Sequence, residues 1–144
     1  MKRNLITILS LVVMSLMFNA SSAYAQSFAK ANVPFAFNVS QKQMPAGTYE
    51  VKVVGAASGT ILIRNIETGE SALSIAGYEA PRSTEGKLVF NHVGHEYFLS
   101  QVWRESGSQG ERIPTSRRER ELTKELLLAK DAKSGHEEVI IALK

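Results

Sequence analysis

The sequence His92-Val93-Gly94-His95 is the one arrangement with a spacing that suits a metal ion. On a two-residue hairpin turn at Val93-Gly94 the two imidazoles would be cross-strand neighbours, with Cβ atoms roughly 5 Å apart, close enough to share an ion. Valine fits poorly at the first central position of such a turn, which requires a positive φ. A three-residue loop with Gly94 in the left-handed region would shift the register and separate the rings. Glu96, expected on the face opposite His95, brings no third ligand, and His136 lies far off in the sequence. His92 and His95 are therefore expected to be structural or surface residues. Metal-assisted hydrolysis is the least favoured function, and no metal is expected.

The densest charge is Arg117-Arg118-Glu119-Arg120-Glu121. As a solvated helix start, Arg117 would pair with Glu121 four residues on and Arg120 would face Glu96 or another surface acid, at a few tenths of a kcal/mol per pair. Three arginines in a first turn nevertheless oppose the helix dipole, which favours anions there. Free helix N–H groups with arginine forks could hold a phosphate or carboxylate. Arg117, Arg118 and Arg120 are thus the candidate partner-binding residues, although the interleaved glutamates leave little net field and favour the solvated reading.

Enzyme templates fail. There is no glycine-rich phosphate loop between strand and helix, no G-x-S-x-G and no H-E-x-x-H. No spacing among the 14 acidic residues singles out an acid and a base. Trp103, Tyr49, Tyr78 and Tyr97 could line a sugar or apolar-ligand pocket, but strand aromatics of this kind read first as core. Asn38-Val39-Ser40 matches a glycosylation acceptor, which matters only in a host with that machinery. The expectation is a non-enzyme with no catalytic residue and no cofactor.

The elements that must position these residues are mainly strands, because apolar residues recur with a period of two between turn clusters. Val33, Phe35, Phe37 and Val39 share a face of a first strand, with Pro34 marking an edge or a bend. Met44-Pro45-Ala46-Gly47 reads as a turn, followed by a strand with Tyr49, Val51 and Val53 inward. Ile61 and Ile63 mark a third strand. Glu67-Thr68-Gly69 fits a three-residue hairpin loop leading to a fourth strand around 71–78. Residues 79–86 read as a solvated loop. The pair 87–93 and 96–104 is apolar on both faces, with Leu88, Phe90, Tyr97, Leu99 and Trp103 set against Val89, Phe98 and Val102, which places it centrally.

Ser106 to Gly110 reads as a flexible connection. Residues 115–133 then carry strong helix formers, with a capping-box spacing at Ser116 and Glu119 and a face of Leu122, Leu126 and Ala129. Gly135 is the expected stop, and Val139-Ile140-Ile141 favours a final strand. The predicted fold is all-β, a mainly antiparallel β-sandwich or partly open barrel of about seven strands, with one C-terminal α-helix packed on the sheet.

The first residues set the compartment. Lys2 and Arg3, the apolar stretch Leu5 to Phe18 and the small-x-small site Ala23-Tyr24-Ala25 read as a cleaved signal peptide over residues 1–25. Residues 26–144 would form a single β-rich domain that is periplasmic or secreted, with no transmembrane segment after cleavage. Trimming leaves 15 basic residues against 14 acidic, a net charge of +1. That is too little for nucleic-acid binding, which needs a dense basic face. The sequence has no cysteine. It therefore excludes thiol redox chemistry, cysteine proteolysis and zinc-thiolate sites, and requires packing alone to hold an exported domain.

The ordered set Val33-Pro34-Phe35-Ala36-Phe37, Met44-Pro45-Ala46-Gly47-Thr48-Tyr49, Lys87-Leu88-Val89-Phe90 with Tyr97-Phe98-Leu99, and Ile113-Pro114 before Ser116-Arg117-Arg118-Glu119-Arg120-Glu121 resembles small exported bacterial proteins of unassigned function. The resemblance spans nearly the whole chain after the signal peptide. It implies one β-rich domain behind a signal peptide, with no activity, cofactor or site residue to carry over. The functional expectation is a non-enzymatic accessory or binding module of the envelope, with an unknown macromolecular partner. The alternative is a carrier enclosing a small apolar ligand.

Overall fold

The computed structural model describes residues 29–54, 59–79, 85–104, 110–129 and 137–144. The predicted signal peptide, most of the 79–86 loop, the 106–109 connection, His136 and Gly135 lie outside them. The fold is a two-sheet β-sandwich with one helix near the C-terminus, and the sheets do not close into a barrel.

Strands β1 (Ala29–Val33), β4 (Gly47–Val54), β5 (Thr60–Asn65) and β6 (Ser71–Ile75) form a four-stranded antiparallel sheet in the order β1-β4-β5-β6. The second sheet runs β11 (Glu137–Ala142), β8 (Lys87–Val93), β9 (Glu96–Trp103), β10 (Gly110–Arg112) and β7 (Gly77–Glu79). β2 (Phe37–Val39) joins β9 in parallel at Asn38 and Phe98, and β3 (Lys42–Met44) pairs with β2. The β8–β9 pair is therefore central, as its two apolar faces predict.

Eleven strands appear among the described residues because two expected strands are broken between sheets and two short ones, β3 and β10, form where turn or connecting residues were expected. The first does not continue through Phe35. Pro34 cannot donate to a ladder, so β1 ends at Val33 in one sheet and β2 begins at Phe37 in the other. The fourth likewise divides at Ala76, whose N–H turns to Gly59 O at 2.9 Å. The proline-alanine-glycine-threonine-tyrosine segment is a third crossing, from β3 to β4, and the Tyr49 hydroxyl closes it by donating to Pro45 O.

The interior is aromatic. Phe35 stacks on Tyr97 at 4.0 Å between centroids, and Phe90 meets Phe35 and Phe37 edge-on at 5.3 and 5.2 Å. Phe37 meets Tyr49 edge-on at 5.0 Å. Val33, Val51, Ile61, Ile63, Leu88 and Leu99 complete this core. Such ring geometries contribute about 0.5–1.5 kcal/mol per pair beyond area burial. The sandwich seams are stitched by polar contacts: Lys30 and Lys144 exchange two backbone hydrogen bonds, and Ser40 Oγ lies 2.9 Å from Ser74 Oγ.

A β-bulge revises one expectation. Val89 pairs with Gln101 and Phe90 with Leu99, so Ser100 is the extra residue. One additional residue inverts the alternation beyond it. Val102 consequently joins the core with Leu88, whereas Trp103 leaves it. Ser100 anchors the bulge by donating its hydroxyl to Val89 O at 3.0 Å and accepting Ile113 N–H at 2.8 Å.

The helix, α1, covers Arg117–Leu128, starting two residues later than the expected 115, and residues 130–133 of the expected helix lie outside the described residues. Ser116 is its N-cap, accepting Glu119 N–H at 3.1 Å. The reciprocal half of the capping box is not made, because the Glu119 side chain accepts from Asn91 instead. Ala129 is the C-cap and is exposed, so it is not part of the docked face. Leu122 and Leu126 lie over Gly94 at the β8–β9 turn. Among the described residues no helix is long and apolar enough to cross a membrane.

Candidate functional site

The histidines are not brought together. Val93 pairs with Glu96, so the turn residues are Gly94 and His95 rather than Val93 and Gly94. Gly94 takes φ +63°, the conformation that the first position of a tight hairpin turn needs and that valine resists. His92 therefore faces Tyr97, on which it stacks at 4.3 Å, and its Nδ1 lies 3.7 Å from Glu137 Oε2. Phe35 stacks on the same tyrosine. His95 sits in the turn. Among the described residues no group of three metal-ligating side chains forms.

The arginines lie where the sequence places them, with one exchange of partners. Arg117 Nε donates to Glu121 Oε1 at 2.7 Å, and this bond and charge hold the Glu121 carboxyl below its ordinary range. Arg118, not Arg120, meets Glu96, through Nε at 3.0 Å and Nη2 at 2.6 Å. Arg120 Nη1 instead donates to Thr115 O at 3.0 Å. Residue 118 lies over the β9 end of the sheet, whereas residue 120 folds back along its own helix start. All three guanidinium groups remain solvent-exposed or at the surface of intramolecular pairs. The conflict with the helix dipole is relieved inside the chain.

A polar cleft of about 170 Å³ lies between the start of α1 and the outer face of the second sheet, lined by Asn91, Ser100, Gln101, Arg112, Ile113, Thr115, Glu119 and Glu138. Asn91, Ser100, Gln101, Ile113 and Glu119 are buried or half-buried and form the floor, while Arg112, Thr115 and Glu138 are exposed at the rim. Register explains the assembly. Glu138 pairs with Asn91 across β11 and β8, and Gln101 pairs with Arg112 across β9 and β10. Val89, Val93, Phe98 and Trp103 are buried elsewhere on the outer side of these strands. The polar row thus interrupts a face that a helix covers.

Glu119 is the unusual member. It is 4% exposed, on a helix, and burying a carboxylate without full hydrogen bonding is costly. Asn91 Nδ2 donates to its Oε1 at 2.8 Å. Its residue type was legible only as a capping-box partner, and nothing local marks Asn91 or Glu138 as its neighbours. The one available signal was Asn91, a polar residue that directly follows the apolar run Leu88-Val89-Phe90 of its strand.

A second buried carboxylate, Glu111 at 2% exposure, lies at the far end of the sheet, where Arg104 Nη2 donates to Oε1 at 2.8 Å. Among the described residues its Oε2 has no hydrogen-bond partner. Burial pushes the Glu111 carboxyl above its ordinary value, with Arg104 pulling the other way. A native pKa above the unfolded one gives stability that is present at low pH and lost as pH rises through the native value. Glu111→Gln should therefore gain on the wild type between about pH 4 and about pH 7 in thermal unfolding. A melting difference that is the same at both pH values would contradict this.

No family model, no curated protein and no solved structure matches the chain.

Proposed function

We propose that the chain is an exported, non-enzymatic binding module that recognises a macromolecular partner at the corner where α1 meets the second sheet. The observation that carries this reading is the sandwich interior. Phe35, Phe37, Tyr49, Phe90 and Tyr97 contact one another ring to ring and occupy the space that an apolar cargo would need. That favours a solid scaffold displaying a surface over a carrier. Arg117, Arg118 and Arg120 then form the display surface. Because each is held in an intramolecular pair, the partner must offer acidic groups that exchange with Glu121, Glu96 or Thr115 O.

The test is capture of envelope proteins from the source cell by the wild type and by the triple variant Arg117→Ala, Arg118→Ala, Arg120→Ala. A partner lost from the variant while its melting temperature is unchanged supports the surface. Equal capture by both proteins rejects it. Native mass spectrometry of the purified chain checks the carrier alternative, where retained apolar cargo would count against the solid-core reading.

A further inference from the structure

We propose that the polar cleft beside α1 is a binding site for a free α-amino acid, seated as its zwitterion. Three acceptors converge at one end. Glu119 accepts from Asn91 through Oε1 and lines the cleft with its side chain almost wholly buried. Asn91, having given its amide to Glu119, keeps its Oδ1 as an acceptor. Glu138 stands beside Asn91 in register and lines the same space. An ammonium group carries three N–H donors and no acceptor, which matches this triad.

The other end has donors. Gln101 gives its Oε1 to the Trp103 indole N–H at 2.9 Å, which leaves its amide group as the donor end. Arg112 pairs with Gln101 in register and adds a guanidinium at the rim, with five N–H donors to divide among its contacts. The cleft is therefore acceptor-rich towards β11 and α1 and donor-rich towards β10. An α-amino acid has the same polarity over a short length.

Size agrees with this class. A volume of about 170 Å³ holds roughly half a dozen waters at about 30 Å³ each. That suits an amino acid with a short side chain. Among the described residues that line it, two carboxylates against one guanidinium also disfavour a simple anion. Arg117, Arg118 and Arg120 do not line this site, and of the three only Arg120 touches a lining residue, through Thr115 O.

The experiment is isothermal titration calorimetry of the full exported chain with L-alanine, ethylamine and propionate. Saturable binding of alanine, with ethylamine and propionate each at least about tenfold weaker, is expected from losing one charge-assisted contact. Glu138→Gln and Arg112→Gln, both at exposed positions, should each weaken alanine by about tenfold. The double variant Arg117→Ala, Arg118→Ala, whose partners Glu121 and Glu96 do not line the cleft, should bind alanine as the wild type does. No saturable heat with alanine, equal affinity for ethylamine, or affinity unmoved by Glu138→Gln would overturn the proposal. Each outcome is separate from the capture experiment, so either reading can fail alone.

Discussion

Phe90→Ala will remove about 3–5 kcal/mol from the stability of the folded chain, the range for truncating a buried phenylalanine. Phe90 is fully buried and meets both Phe35 and Phe37 edge-on. It stands on β8, between β11 and β9, so the backbone on either side is held by ladder hydrogen bonds and cannot collapse into the space left behind. The cost is therefore transfer free energy plus an unrelaxed cavity. A small domain has about 5–15 kcal/mol in all, and this one has no disulfide to fall back on. Denaturant unfolding should show the midpoint falling with little change in slope. Ile140→Ala, at an exposed position of β11, should stay within about 0.5 kcal/mol of wild type. A Phe90→Ala loss as small as that of Ile140→Ala would mean that the ring cluster does not form the core.

Gly110→Ala should also destabilise, by about 1–3 kcal/mol, although it adds one methyl group to an extended strand. A Cβ at this position would lie 2.7 Å from Trp103 Cδ2 and 2.8 Å from its Cε2 and Cε3. The indole has little room to retreat. It is buried, its N–H is held by Gln101, and Lys87 Nζ lies 5.7 Å from the ring centroid. Trp103 is the single tryptophan of the chain, so its fluorescence reports the displacement directly. Trp103→Leu in the Gly110→Ala background should recover part of the loss, a coupling that a double-mutant cycle reads. Strict additivity of the two substitutions would assign the defect to something other than this contact.

Both predictions depend on placements of different legibility. Phe90 was readable as a strand residue of a doubly apolar hairpin. Its ring partners were partly readable, since Phe35 and Phe37 lay on one predicted face, although β1 ends at Val33 and Phe35 lies in the connection to β2. Trp103 was assigned to the core face by alternation, and the bulge at Ser100 placed it on the other side. The helix start was legible because an N-cap is a local contract between Ser116 and Glu119 N–H. The cleft was not. Asn91, Gln101, Arg112, Glu119 and Glu138 come from β8, β9, β10, α1 and β11, and no spacing in the chain relates them.

The amino-acid order by itself determined the alternation of inward and outward residues, the glycine-bearing turns, the capped helix and the reliance on packing without cysteine. Each of these follows from conformational preferences over a few neighbouring residues. Tertiary structure alone decided which sheet each strand joined, where Pro34 and Ala76 carried the chain across, how Ser100 inverted β9, and which polar groups met around Glu119. Those outcomes depend on burying whole faces against one another, and a pattern of period two says that a side chain points inward without saying what it will meet there.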